Sequence, residues 1–141
     1  MSNTKTMLAM LALGATVAFA GPAFAEKMKA TLDGKSEVPA NTSAGKGTAD
    51  IDYDAATKKL TWTVTYSGLS GPATAAHFHG PAEPGKNAGV AVAIPNAGTS
   101  PVSGSATLTD AQAADLAAGK LYVNVHTAAN PGGEIRGQVT K

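Results

Sequence analysis

Alternation of apolar and polar residues is the dominant pattern along this chain. The clearest stretch runs from Leu60 to Tyr66, where four large apolar residues alternate with three threonines. Successive residues of a strand point to opposite faces, so this stretch is predicted to be a half-buried β-strand. A similar stretch, Ala49–Asp54, precedes it, and the short link 55–58 predicts a hairpin. The same pattern predicts strands at 27–32, 75–79, 90–94, 103–108, 121–127 and 134–140.

One helix is predicted to interrupt these strands. Thr109 is a good N-cap, and Gln112 three residues later completes a capping box. Asp110 suits the positive end of the helix dipole, and Gly119 supplies a C-terminal stop. About eight short strands separated by Gly, Pro and Asn turns, with one short helix, predict an all-β fold, a Greek-key β-sandwich.

The first 25 residues differ in composition from the rest. Lys5 is followed by the apolar run Met7–Ala20 and then by Ala23-Phe24-Ala25, the order expected of a secretory signal peptide cleaved before Glu26. The apolar run is shorter than the roughly 20 residues that a membrane span needs. We therefore expect a signal peptide at 1–25, one domain at 26–141 with no membrane span after cleavage, and a periplasmic or secreted protein.

Charge and cysteine content narrow the classes of function. The chain has 11 Lys and Arg against 10 Asp and Glu, and Lys5 is the only charged residue of the first 25. Removing it leaves ten residues of each sign, without a basic run, which argues against nucleic acid as a partner. The absence of cysteine excludes disulfides and thiolate chemistry.

The three histidines are the main candidate for chemistry. His77 and His79 are two residues apart and share one strand face, with Phe78 on the other face. His126 shares a face with Tyr122 and Asn124, opposite the apolar Leu121, Val123 and Val125. Three imidazoles from neighbouring strands can bind copper or zinc and leave one coordination position open. The alternative is that the histidines are exposed, or hydrogen-bond neighbouring loops, and bind no metal.

Other polar residues are weaker candidates. Asn124, Glu134 and Arg136 are candidates for the surroundings of the imidazoles, and Glu134 and Arg136 share a strand face on which they can pair. The alternating aspartates of residues 50–54 lack the glycine turn and distant glutamate of a calcium loop, so we interpret them as a solvated face. No constellation for nucleophilic catalysis is recognised, and no enzyme activity is predicted.

Several segments, taken in order, resemble the CHRD domain, which is found in chordin and in single-domain bacterial exported proteins. The resemblance covers nearly the whole domain and implies an immunoglobulin-like β-sandwich in which His77, His79 and His126 occupy signature positions. The segments are Glu37-Val38-Pro39, Gly68-Leu69, His77-Phe78-His79-Gly80-Pro81-Ala82, the stretch 119–127 and the stretch 131–138.

Three functions follow from these features. The first is binding of a transition metal, with copper favoured and zinc as the alternative, through a surface site of three histidines. The second is a protein-binding or adhesion module without metal. The third is a mononuclear copper redox enzyme resembling superoxide dismutase, although three histidines are too few for a two-metal site with a bridging imidazole.

Overall fold

The computed structural model describes residues 14–16 and 24–141, and its domain is an all-β fold with one short helix, as predicted. All strand pairings are antiparallel. The elements are β1 (Glu26–Asp33), β2 (Lys46–Asp54), β3 (Lys59–Ser67), β4 (Ala73–His79), β5 (Val90–Ala93), β6 (Val102–Thr107), α1 (Asp110–Ala117), β7 (Tyr122–Thr127) and β8 (Ile135–Gln138).

The eight strands form one continuous sheet in the order β5-β4-β7-β8-β1-β2-β3-β6. The sheet folds over on itself, as the contact between two strands far apart in this order shows: Trp62 of β3 and Phe78 of β4 pack edge to face with ring centroids 5.2 Å apart. Both side chains are buried, as are Leu60 and Val64 beside Trp62. The apolar face of each half therefore contributes to one shared core, while the immunoglobulin-like Greek-key arrangement stays a prediction.

The strongest local patterns form the predicted elements. β2 and β3 pair along their whole length, from Lys46 opposite Ser67 to Asp54 opposite Lys59. In α1 the capping box is present: Thr109 Oγ1 accepts from the Gln112 backbone N–H at 3.1 Å, and Gln112 Oε1 accepts from the Thr109 N–H at 3.0 Å. Gly119 follows the helix with φ +72°, a conformation that glycine adopts without steric cost.

The polar face of β4, β7 and β8 is covered, which the alternation did not indicate. Every residue of β7 is buried, including Tyr122, Asn124 and His126. Loop side chains and carbonyls lie over this face: Asn41 Nδ2 donates to the Glu134 carbonyl at 3.0 Å, and the Ala88 N–H donates to the Tyr122 hydroxyl at 3.2 Å. The strands thus bury an apolar layer on one side and a polar layer on the other.

Most of the predicted signal peptide, residues 1–13 and 17–23, lies outside the described residues. In the part of the chain that the structure describes, no helix has both the length and the apolar character needed to cross a membrane.

Candidate metal centre

Pairing of β4 with β7 brings the three histidines together. His77 lies opposite Asn124, His79 opposite Tyr122 and Ala75 opposite His126, so His126 is diagonal to His77 on the same face. Phe78 is directed into the apolar core, as the alternation predicts. On its other side β4 pairs with β5, and the register shifts between Phe78 and His79, at the end of the strand where the site lies.

The imidazoles form a compact and mostly buried cluster. Each offers one ring nitrogen such that the three atoms lie within 4.8 Å of one another. The shortest separation is 3.0 Å, between His77 Nδ1 and His126 Nε2. His79 and His126 are only 8 % and 9 % exposed, whereas His77 is half-buried. The expected surface site is therefore largely enclosed, and His77 is its exposed side.

Backbone carbonyls fix the tautomers of two histidines. His79 Nδ1 is 3.0 Å from the Ala88 carbonyl, and His126 Nδ1 is 2.9 Å from the Pro131 carbonyl. A carbonyl oxygen only accepts, so both Nδ1 atoms carry the proton and both Nε2 atoms are acceptors. The His77 Nδ1–H then donates to His126 Nε2. His79 Nε2 is buried and has no hydrogen-bond partner among the described residues.

The surroundings of His77 and His79 favour the neutral form of these two imidazoles. Burial lowers the pKa of His77, and the charges of His126 and His79 lower it further. Burial also lowers the pKa of His79 and outweighs the opposing hydrogen bond with Ala88. Neutral imidazole is the form that binds metals, so both side chains are ready to act as ligands near neutral pH.

A stack of three side chains supports His79. Its imidazole lies parallel to the Tyr122 ring, with centroids 4.9 Å apart and planes 4° apart. The Arg136 guanidinium carbon is 3.5 Å from the centroid of the same ring, a cation–π contact. Arg136 is buried and also donates to the Lys86 carbonyl and, at 2.9 Å, to Asn87 Oδ1. Arg136 and Tyr122 thereby hold the loop whose Ala88 carbonyl orients His79.

Glu134 lies in a separate polar cluster. Its buried carboxylate accepts hydrogen bonds from Thr127 Oγ1 and Asn130 Nδ2 at 2.9 Å and from Ser43 Oγ at 3.0 Å, and also from the Ser70 hydroxyl. Burial alone would raise the pKa of Glu134, but these hydrogen bonds, with that from the Ser70 N–H, outweigh it and lower the pKa to about 2.

The expected pairing of Glu134 with Arg136 is absent among the described ion pairs. The reason is that loop hydroxyls and amides satisfy the carboxylate, and loop carbonyl and amide oxygens satisfy the guanidinium. Neither residue hydrogen-bonds a histidine in the part of the chain that the structure describes.

Glu37 is a buried residue that the sequence analysis did not associate with the site. It is 5 % exposed, and its Oε1 has no hydrogen-bond partner among the described residues. Burial raises its pKa, while the charge of Arg136 and the Asn124 amide oppose that rise. The only sequence signal was its place in the Glu37-Val38-Pro39 segment, because alternation cannot identify a loop residue that folds back over a sheet.

The geometry is compatible with one bound ion. Metal–nitrogen distances of about 2.0–2.1 Å in a tetrahedral site imply ligand nitrogens about 3.3 Å apart. The 3.0 Å separation of His77 Nδ1 and His126 Nε2 is close to this value, and both atoms become available to an ion when the His77 proton moves to Nε2. His79 completes the set through a side-chain adjustment, since all three atoms lie within 4.8 Å. Ligand histidines commonly donate their second N–H to a backbone carbonyl, as His79 and His126 do here.

Fold and site together define an all-β domain with an enclosed cluster of three histidines. The chain belongs to the CHRD domain family: the profile of the CHRD domain matches residues 28–139, nearly the whole described domain. Neither the curated proteins nor the solved structures compared with the chain include a match.

Proposed function

We propose that this protein binds a transition metal ion outside the cytoplasm, with His77, His79 and His126 as ligands. One observation carries the proposal. The Nδ1–H groups of His79 and His126 are anchored on backbone carbonyls, so both Nε2 atoms are acceptors within 4.8 Å of a His77 nitrogen, and that of His79 has no partner among the described residues. Histidines that only held loops together would not need a buried acceptor atom without a donor beside two further imidazoles.

Copper is the favoured ion and zinc the alternative. Imidazole ligands suit both ions, and divalent copper forms the more stable complexes with a given set of nitrogen ligands. The chain has no cysteine, so a thiolate site is excluded. The expected signal peptide would direct the protein out of the cytoplasm, where its role would be to bind, store or deliver the metal ion.

Calorimetric titration with Cu(II) and Zn(II) tests the proposal. The wild-type protein is compared with a His77→Ala/His79→Ala/His126→Ala triple variant. The matched control is Asp50→Asn/Asp52→Asn/Asp54→Asn, which removes the other row of potential cation ligands on β2. We expect one ion per chain, with micromolar or tighter affinity, in the wild type and the aspartate variant.

Loss of that binding in the histidine variant, with the fold retained by circular dichroism, would support the proposal. Equal binding by the histidine variant, or loss of binding in the aspartate variant, would contradict it. The histidines would then be structural, and a metal-free protein-binding module would be the better account.

A further inference from the structure

Asn124 is the second buried group at the histidine cluster whose acceptor atom is unpartnered. Its side chain is 2 % exposed, and Oδ1 has no hydrogen-bond partner among the described residues. It lies directly opposite His77 across the β4–β7 pair and shares the β7 face with His126. The amide is also close enough to His79 to influence the pKa of that imidazole.

Glu37 and Gly133 explain the orientation of the Asn124 amide. A Cβ on Gly133 would lie 2.7 Å from Asn124 Nδ2 and would collide with Glu37 Oε1, so both groups border the same narrow space. An ionised carboxylate only accepts hydrogen bonds, so the Asn124 amide is oriented with its NH₂ group, the donor, toward Glu37. The Oδ1 end is then directed away from Glu37, on the side of the histidines.

Two buried acceptors therefore face a common space. His79 Nε2 cannot donate, because its proton is on Nδ1, and Asn124 Oδ1 is an acceptor by nature. Buried acceptors without a donor destabilise a fold unless another group satisfies them. A cation bound between them satisfies both at once, and His126 Nε2 can join them when its hydrogen bond with His77 is replaced.

Resting on the proposed function, the geometry points to Asn124 Oδ1 as the fourth, oxygen ligand of the metal ion, positioned by Glu37. An amide oxygen is a known weak axial ligand of copper in sites built from two histidines and a cysteine, and here a third imidazole would take the place of the thiolate. The site would then be closed, with four protein ligands. Closed sites hold an ion, whereas sites that activate water keep a position open. The pair of residues thus favours metal retention over hydrolytic chemistry.

The contacts also explain why the site needs Gly133. Its φ of +126° is disfavoured for other residues, and any side chain there would displace Glu37 or Asn124. The segments around Glu37 and Gly133 come from loops far apart in sequence. They meet above Asn124, so the oxygen ligand would be supplied by one strand residue and held in place by two loops.

Electron paramagnetic resonance of the Cu(II) complex, with and without azide, tests this inference. The variants are Asn124→Ala, which removes the oxygen, and Asn124→Asp, which keeps one. In the wild type and Asn124→Asp we expect spectra that azide leaves unchanged. In Asn124→Ala we expect one ion still bound, affinity lower by about tenfold or more, and a spectrum that azide shifts, because a coordination position is open.

The outcomes separate this inference from the proposed function. Two results would refute the oxygen ligand while leaving the three-histidine site intact. In the first, the wild type binds copper through its histidines, but azide shifts its spectrum as it does that of Asn124→Ala. In the second, Asn124→Ala matches the wild type in both affinity and spectrum. If the wild type binds no copper, both fail. If Asn124→Ala does not fold, the azide response of the wild type and of Asn124→Asp still shows whether a coordination position is open.

Discussion

The imidazole of His79 lies flat against the ring of Tyr122, with their planes 4° apart. The Tyr122 hydroxyl also reaches the loop beyond His79, where it accepts from the Ala88 N–H and donates to the Ala88 carbonyl, both at 3.2 Å. The same carbonyl accepts from His79 Nδ1. One tyrosine therefore fixes both the plane of the imidazole and the carbonyl that sets its tautomer.

Replacing Tyr122→Phe separates these two effects. The stack with His79 is retained, but the hydrogen bonds with Ala88 are lost, and we expect the free energy of unfolding to fall by about 1 kcal/mol. Metal affinity should fall by about tenfold, because the carbonyl that orients His79 is less well held. Chemical denaturation and competitive metal titration measure the two quantities. Wild-type affinity in this variant would show that Ala88 does not position His79.

Arg136→Lys tests how the loop over the site is held. A lysine cannot reproduce the guanidinium fork that reaches both the Lys86 carbonyl and the Asn87 side chain. We expect hydrogen exchange of the Ala88 amide to accelerate by about tenfold or more, since hydrogen bonds to a charged group are lost. Lys86→Ala is the control, because the guanidinium donates to the backbone carbonyl of that residue, which the substitution retains. Equal exchange in both variants would contradict this role of Arg136.

Glu134 predicts an acid-sensitive contribution to stability. Its pKa is lowered from 4.5 to about 2 in the folded protein, so its stabilisation is fully present above about pH 4.5. It is lost as the pH falls toward 2, because the carboxylate becomes protonated in the folded state as well. A pKa shift of this size corresponds to a contribution of about 3 kcal/mol to the free energy of unfolding.

The comparison of wild type with Glu134→Gln isolates this effect from other carboxyl groups. Denaturation curves are measured at pH 7 and near pH 2.5. The free energy of unfolding of the wild type should exceed that of Glu134→Gln by a large amount at pH 7 and by a small amount near pH 2.5. The exposed Asp50→Asn serves as the matched control for the loss of one carboxylate charge. A difference for Glu134→Gln that is the same at both pH values would argue against the carboxylate cluster.

Local patterns predicted the elements well because each depends on neighbouring residues. The alternation from Leu60 to Tyr66 and the capping box of Thr109 and Gln112 need no information about the rest of the chain, and both are confirmed. Alternation also assigned Phe78 to the core and His77 and His79 to the opposite face. The proximity of these histidines to His126 depends on strand order, which their spacing does not specify.

The burial of the polar face could not be predicted from alternation. Asn124 and Arg136 stand at positions that a half-exposed strand would give to solvent, yet loops cover both. Loop conformation depends on contacts far apart in sequence, such as Asn41 with Glu134 and Asn87 with Arg136. For the same reason Glu134 and Arg136, which could pair on a shared strand face, do not do so among the described ion pairs, because each finds its partners in different loops.

X-ray absorption at the copper or zinc edge of the loaded protein is the most direct test of the central claim, a metal site built by the three histidines. We predict one ion per chain, a first shell of nitrogen and oxygen atoms near 2.0–2.1 Å, about the metal–nitrogen distance of imidazole sites, and outer-shell scattering from three imidazole rings. In the triple histidine variant that ring scattering should vanish. A wild-type spectrum without imidazole scattering, or one unchanged in the variant, would contradict the account.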